Sequence, residues 1–314
     1  MFDSIKCWFD TQTQAPVRGN PDRIDWLRAI PFLAVHAGCL GVIWTGVSPV
    51  AVAVCIFLYV LRMFAITGFY HRYFSHRSFR TSRPLAFLFA FIACSSAQRG
   101  PLWWAAHHRH HHKDSDQPED AHSPARHGFW WSHCGWFLAP RHFPTRHEIL
   151  RDFKEHRELH WLNRFDMLAP VLLGLSCLAL GWILQRWAPA LETSPAQMLV
   201  VGFAFSTTLL YHGTFSINSL SHLWGSRPYS TGDDSRNNFL LALITLGEGW
   251  HNNHHRFPAY ANQGHRWWQL DLTLIGLRSL ALVGLVRDLR IHLHRHAKNA
   301  ESPAPSPALE AEHS

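Results

Sequence analysis

Histidine carries the chemistry of this chain. Twenty-five of its 314 residues are His, and the informative ones fall into four groups. His71 and His76 stand in His-Arg-Tyr-Phe-Ser-His. Next comes Trp103-Trp104-Ala105-Ala106-His107-His108-Arg109-His110-His111-His112. His222 ends Asn218-Ser219-Leu220-Ser221-His222, and the last group is Gly247-Glu248-Gly249-Trp250-His251-Asn252-Asn253-His254-His255. Two groups share the spacing H-x-x-H-H. On a helix, residues i, i+3 and i+4 leave from one face, so each triplet aims three imidazoles in one direction. A neutral imidazole is a ligand for Zn, Fe, Cu or Ni. One lone His is more often a satisfied polar residue; two such triplets with a flanking pair read as a metal site. Counting one triplet from each run, the groups offer nine nitrogens, more than the four of a structural zinc. That number suits two ions with four or five nitrogens each. Carboxylates and thiolates are nearly absent from the groups, which disfavours Ca, Mg and Fe–S clusters. Ligand type alone leaves zinc and iron open. The middle run also allows two registers, 107/110/111 and 108/111/112.

The elements that must hold these groups are membrane helices. Hydrophobic residues make up 47% of the chain, yet its mean hydropathy is only −0.10, so the apolar residues are concentrated. Four stretches, about 30–47, 50–69, 167–184 and 198–217, approach the roughly 20 residues that a bilayer crossing needs. The expected fold is an all-α membrane protein: four transmembrane helices capped by a cytoplasmic helical domain with a histidine-ligated dimetal site. Its parts are a cytoplasmic N-terminal segment at 1–28, the main domain at 29–297, and a disordered tail at 298–314 rich in Ala, Pro, Glu and Ser. The first residues lack a compact apolar core, so the first stretch reads as a retained span rather than a cleaved signal. Leu85–Ala97 is too short to cross and is expected to lie in the interface or dip in and return. Trp130, Trp131, Trp136 and Trp161 suit the membrane–water boundary.

Charge fixes the expected orientation. Of 29 Lys and Arg, four precede the first span, fourteen lie between the second and third, and nine follow the fourth. Arg186 sits in the loops on the other side, and Arg62 lies inside the second span. The positive-inside rule then puts both termini and the 70–166 segment in the cytoplasm. Topology and anionic head groups account for most of these charges, so no nucleic-acid partner is inferred. Six scattered cysteines without C-x-x-C argue against both a disulfide framework and a thiolate site. If Leu85–Ala97 does not cross, the first two histidine groups share a face. Two further crossings return His222 and the last triplet to it. All four groups can therefore meet at one set of helix ends.

These motifs resemble those of the integral-membrane fatty acyl desaturase family, specifically its acyl-CoA Δ9 (stearoyl-CoA) branch, from about residue 25 to 270. His71–His76 is similar to the family's H-x4-H box and His108–Lys113 to its H-R-x-H-H-K box. Gly247–Pro258 is similar to G-E-G-x-H-N-x-H-H-x-F-P, and Asn218–His222 to N-S-x-x-H. The resemblance implies two Fe2+ ions held by His71, His76, His108, His111, His112, His222, His251, His254 and His255, with Asn218 acting through water. It selects the 108/111/112 register, because Arg109 and Lys113 then fall where the family has them. It also implies a kinked apolar tunnel with Gln98, Trp104 and Thr214 at the bend. By themselves, Trp104 would read as an interface anchor and Gln98 as a helix-end cap. The family's D-P-H turn reads Asp120-Ala121-His122 here.

The implied reaction uses O2 and two electrons to place a cis double bond, at Δ9, in a saturated long-chain fatty acyl-CoA. Since a saturated chain offers no functional group near the reacting carbons, the protein's contribution is orientation. Arg126 and Arg141 are candidates for CoA phosphates, with membrane-surface charge an equal alternative. Glu248, Asp116 and Asp120 are candidate acceptors for ligand N–H groups. His156 and His160 lack the H-E-x-x-H order of zinc proteases and read as surface residues. No H-P-G-G haem segment follows residue 260, so a separate ferredoxin- or cytochrome b5-like donor is expected. The rival readings are an acyl-lipid desaturase or membrane hydroxylase with the same site, a histidine-rich metal transporter, and a zinc-dependent membrane hydrolase.

Overall fold

A computed structural model describes residues 2–13 and 20–293; the tail expected at 298–314 lies outside the described residues. Among the described residues, four helices are long and apolar enough to cross a membrane: Trp26–Thr45, Pro49–Ser75, Leu168–Trp187 and Pro195–His222. The first, second and fourth begin where the sequence supplies a cap. The Asp25 carboxylate accepts from Leu27 N and Arg28 N, Ser48 caps the second span with Pro49 in its first turn, and Ser194 forms a capping box with Gln197. Facing the fourth span are the second and third, and the cluster Ala51, Cys55, Leu58, Cys177, Met198 and Val201 packs there.

Two spans outrun the membrane. The second has 27 residues and the fourth 28, on the order of 40 Å of helix against roughly 30 Å of hydrocarbon. The apolar stretches at 50–69 and 198–217 end where polar residues begin. The helices do not end there, because the polar turns that follow are covered by other elements. Residues Ala65–Ser75 are all buried and form a π-helix. The first span starts at Trp26 rather than 30, pulled back to its Asp25 cap, and is interrupted near Leu40–Gly41.

On the protruding ends sits a layer of shorter helices: α1 (Arg83–Cys94), α2 (Pro101–Asp114), α3 (Arg157–Arg164), α4 (Phe239–Ile244), α5 (His251–Arg256) and α6 (Leu272–Leu282). The 12 residues of α1 span about 18 Å, too little for a crossing. A two-residue antiparallel pairing, Arg80–Thr81 with Val286–Arg287, ties the end of α6 back to the second span. Trp130 and Trp161 are exposed as interface residues should be, but Trp136 is not. It is buried and stacked on Trp103, with ring centroids 5.5 Å apart. Indole area is large enough that packing claimed this ring.

Candidate metal centre

His71 and His76 are five residues apart, which in an α-helix of 3.6 residues per turn would set them on different sides. The π-helix changes this. Its i→i+5 hydrogen bonds close one turn in about five residues, and His76 N donates to His71 O at 3.2 Å. The two rings therefore leave on one side, 4.8 Å apart.

Helix α2 supplies His108, His111 and His112. Arg109 fixes its phase: the guanidinium donates to Phe74 O, Ser75 O and Ile149 O and pairs with both oxygens of Asp152 at 2.8 and 2.9 Å. His107 turns the other way, onto Trp103 and Trp136, and His110 faces Asp114 at 3.5 Å. Thus 108, 111 and 112 are the residues that face the remaining groups.

Helix α5 is held by its glycines and asparagines. Gly247 has φ +123°, and a Cβ on Gly249 would stand 2.0 Å from Ala242 N, so α4 and the last histidine group meet backbone to backbone. Asn237 Oδ1 accepts from Asn252 N and Asn253 N, while Asn252 Oδ1 accepts from Tyr229 N at 2.8 Å. These bonds clip the 226–238 loop to α5.

The nine imidazoles converge as two sets. His71, His76, His108, His112 and His254 form one; His111, His222, His251 and His255 form the other, and within each set the ligand atoms all lie within 4.8 Å of one another. Both triplets are divided by the same rule. Residues i and i+4 (108 and 112; 251 and 255) join one set, and residue i+3 (111; 254) joins the other. Helix phase accounts for this, since i+4 overshoots one turn by about 40° whereas i+3 falls short by about 60°. The idea that each triplet points in a single direction is therefore refined: each helix serves both sets.

The contacts inside the first set are not a hydrogen-bond chain. His254 Nε2 lies 2.9 Å from both His71 Nε2 and His112 Nε2, and His76 Nε2 is 2.9 Å from His108 Nε2. A ring nitrogen has one in-plane site, so one nitrogen cannot bond both neighbours. Nitrogens about 2.1 Å from a shared ion, at right angles around it, would be about 3.0 Å apart. The donor set therefore fits a metal ion, and it offers only nitrogen. Asn218 faces the same space from the fourth span.

Carboxylates orient the outer ring nitrogens. Glu248 meets His71 Nδ1, Asp120 is 3.0 Å from His111 Nδ1, Asp116 is 2.8 Å from His222 Nδ1, and Asp233 is 2.7 Å from His255 Nδ1. Such partners fix the tautomer that leaves Nε2 free to bind. Burial, reinforced by neighbouring rings, holds His76, His108, His112, His251 and His254 well below the ordinary imidazole range. Burial also takes His255 down to about 4, against the pull of Asp233. His111 goes the other way: burial lowers it, but Asp120, Asp116 and Asp233 together push it up. The three aspartates are held far below the carboxylate range, burial being outweighed by their histidine and backbone hydrogen bonds. At the six lowered positions, a neutral imidazole beside ionised carboxylates is the state that cation binding requires.

Asp233 and Gln263 were not among the residues singled out from sequence. Gln263 Nε2 donates to Glu248 Oε2 at 2.9 Å. The signal for Asp233 was the acidic pair in Gly232-Asp233-Asp234-Ser235, between the last two histidine groups. Replacing Asp233 with Asn is expected to weaken metal retention about 10-fold or more, read by chelator competition; unchanged retention would remove Asp233 from the centre. His156 and His160 stand apart, facing Glu158 and His147 respectively.

A cavity of about 450 Å³ runs past the first set. Gln98, Trp104 and Thr214 all line it, as do His108 and Asn218. Gln98 Nε2 donates to Thr214 Oγ1 at 2.8 Å, and Trp104 stacks on His108. Gln98 is presented by a strained turn: Ala97 and Arg99 have φ of 56° and 70°, a conformation that costs on the order of 1 kcal/mol or more per residue. Tyr211 and Tyr70 hydroxyls hold the carbonyls of those two residues. The walls include Leu178, Leu199 and Phe203 of the third and fourth spans, and also Cys7, Trp8, Arg28 and Arg99. Arg126 and Arg141 do not line it. Arg126 donates to Asp116 O and Arg141 pairs with Asp22, so the basic groups at the cavity are Arg28 and Arg99.

Known proteins are similar to this chain over most of its length. The fatty acid desaturase family model matches residues 48–280. An sn-1 stearoyl-lipid 9-desaturase of Anabaena variabilis is 34% identical over 275 residues, covering 86% of this chain and 95% of the relative. An sn-2 palmitoyl-lipid 9-desaturase of Nostoc sp. (strain 36) is 33% identical over 281 residues, covering 87% and 93%. An acyl-CoA C20 Delta5-desaturase of Anemone leveillei is 32% identical over 299 residues, covering 91% of each.

Proposed function

The chain belongs to the fatty acid desaturase family, and on that premise we propose that it is an O2-dependent di-iron enzyme that introduces a cis double bond, at Δ9, into a saturated long-chain fatty acyl-CoA. The family makes it an oxidoreductase of lipid metabolism, and the four long apolar helices make it an integral membrane protein. The observation that carries the finer reading is that the 450 Å³ apolar cavity reaches, at His108, one of two converging sets of imidazoles. His71, His76, His108, His112 and His254 would hold one iron. His111, His222, His251 and His255, with Asn218 through water, would hold the other. Bound there, iron supplies the reducible centre at which O2 becomes an oxidant able to take hydrogen from unactivated methylenes.

The protein's own part is placement. One O2, two electrons and two protons convert –CH2–CH2– into –CH=CH– and two waters, so nothing in the substrate marks the reacting carbons. Position must come from the cavity. Gln98, Trp104 and Thr214 bend the chain beside the first set of histidines, and the apolar walls between the third and fourth spans receive its methyl end. Electrons come from a separate donor of ferredoxin or cytochrome b5 type. The Lys and Arg distribution supports a cytoplasmic centre and cytoplasmic termini.

A second reading differs in the acyl carrier. The relatives named as stearoyl-lipid and palmitoyl-lipid 9-desaturases favour an acyl chain esterified in a membrane lipid. Val171 and Leu175, which line the cavity, are also exposed on the outer surface of the third span. Purified enzyme given stearoyl-CoA, or vesicles of distearoyl phospholipid, is expected to yield a cis-Δ9 alkene with one of them. The productive carrier decides between the readings. An oxygenated product without alkene would make the protein a hydroxylase and overturn both.

A further inference from the structure

Arg62 lies inside the second span and belongs to neither set of histidines. It is 1% exposed, yet the four oxygens that meet its guanidinium all belong to neutral groups. Nε donates to Leu58 O at 3.0 Å, Nη1 to Ser95 O at 3.3 Å and Thr207 Oγ1 at 2.9 Å, and Nη2 to Ser206 Oγ at 2.6 Å. A cation buried in a membrane helix is costly, and such a residue marks a functional position by default. Ser95 is the C-cap of α1, so the negative end of that helix dipole supplies favourable charge.

The elements that Arg62 joins give the position its meaning. Residues 95–99, between α1 and α2, form the strained turn that presents Gln98. Alternate carbonyls of this turn are held by the spans: Ser95 O by Arg62, Ala97 O by the Tyr211 hydroxyl and Arg99 O by the Tyr70 hydroxyl. Arg62 also grips the fourth span, at Ser206 and Thr207, both fully buried. These are the first two residues after that span changes from π-helix (Met198–Phe205) to α-helix (Ser206–Ser219). Leu199 and Phe203, before the joint, and Tyr211 and Thr214, after it, line the cavity. Thr214 stands seven residues beyond Thr207, about 10.5 Å along the helix and within about 20° of the same face. It accepts from Gln98 Nε2 at 2.8 Å. The contacts close a ring: Arg62 to Thr207, along the helix to Thr214, across to Gln98, and back through the turn to Ser95 and Arg62.

The height of Gln98 and Thr214 beside the histidines decides which methylenes stand at the centre. We propose that Arg62 is the positioning residue that sets this register, clamping the 95–99 turn to the fourth span so that the bend has one place. Naming a register of oxidation rests on the desaturase reading; the clamp itself does not. Arg62 does not line the cavity, so it acts through Gln98 and Thr214 and not by touching the acyl chain. A neutral clamp would need several side chains to do this, whereas one guanidinium donates to the turn and to two hydroxyls of the fourth span at once.

Arg62→Met tests this in the full-length holoenzyme. It removes the clamp, while Ser206 keeps its bonds to Gly202 O and Phe203 O. Stearoyl-CoA or distearoyl phospholipid vesicles serve as substrate, whichever is productive. The share of product oxidised one or two carbons from the native position is expected to rise about 10-fold or more, with metal content unchanged. Arg62→Lys keeps a cation at the end of α1 and should bring the distribution back towards the native one. A native distribution in folded Arg62→Met overturns the proposal. A shift that comes with loss of metal, or one that lysine does not reduce, shows general loosening and overturns it too. The position is read from the alkene or, in a hydroxylase, from the oxygenated carbon, so failure of the desaturase reading is seen separately. If no product forms, hydrogen exchange decides: residues 95–99 should exchange about 10-fold or more faster in Arg62→Met, with 107–112 and 251–255 as in the native protein. Unchanged exchange at 95–99 removes the clamp. Should Arg62→Met not fold, Thr207→Val, which deletes one acceptor, is expected to shift the distribution the same way by about 3-fold, and no shift there is equally decisive against it.

Discussion

His254→Ala is expected to lower turnover by on the order of 10³ or more, about 4 kcal/mol of transition-state stabilisation, and to bring metal content from about two ions per chain towards one. The geometry explains why this residue should be among the most sensitive. Its Nε2 is 2.9 Å from Nε2 of both His71 and His112, so it joins a ring from the second span to a ring from α2. It sits between His251 and His255 on α5, which belong to the other set. Removing the ring opens the five-member set at its centre and frees the partition between the two sets. The matched control is His110→Ala. His110 is next to His111 but faces Asp114, and this variant should keep turnover within about two-fold, as a surface change does. Metal analysis and product formation are measured on both variants. Two ions and full turnover in His254→Ala would show that the converging nitrogens are not the ligands. Loss of metal in His110→Ala would point to the 107/110/111 register instead.

How much of this arrangement could be read from sequence differs from residue to residue. That the four histidine groups share one end of the helices followed from counting crossings, because Leu85–Ala97 was too short to add one. That His71 and His76 face the same way did not follow. Their spacing is wrong for an α-helix, and nothing in Ala-Ile-Thr-Gly-Phe-Tyr-His announces a π-helix; burial of every residue from Ala65 to Ser75 against neighbouring elements holds it. The split of each triplet between two sets was implicit in the i, i+3, i+4 spacing, but it becomes visible only when both helices are seen around a common space. Glu248, Asp116 and Asp120 stood out as acids near histidines in sequence. Asp233 did not, because it lies 22 positions before His255, with α4 in between. Trp136 shows the opposite failure: a residue type suited to the interface was taken into a packed aromatic cluster with Trp103 and His107. The same holds for the N-terminal segment, where Cys7 and Trp8 line the 450 Å³ cavity although their sequence shows no pattern of their own.

Arg72→Met is expected to cost about 3–5 kcal/mol of stability, more than most single substitutions in the chain. Arg72 is 1% exposed, and its Nη2 lies 3.0 Å from Glu248 Oε1 and 3.0 Å from Asp271 Oδ1. Both carboxylates are buried, and each has a second task. Glu248 holds His71 Nδ1, while Asp271 caps α6 through Leu274 N and accepts from Gln263 N. Methionine preserves much of the volume but leaves two neighbouring negative charges out of water with no cation between them, so the penalty comes from what remains rather than from the bond removed. The pH dependence gives this reading a sign. Burial raises the Glu248 pKa, but His71 and Arg72 outweigh it and hold the group below 4.5. A carboxylate depressed in the folded state adds stability above its unfolded pKa and loses it as pH falls through the folded one. The native protein should therefore lose this contribution only below about pH 4.5. In Arg72→Met the guanidinium no longer offsets burial, so the stranded carboxylates take up protons more readily than in the native protein, and mild acid should narrow the stability gap between the two proteins. Adding Glu248→Gln to Arg72→Met should recover part of the stability at neutral pH, because one uncompensated charge is gone. Metal retention should not recover with it, since the neutral amide is a poorer acceptor for His71. Stability and metal binding would then separate in one pair of substitutions. A double variant no more stable than Arg72→Met would show that packing around Arg72, not its charge, holds this end of the second span.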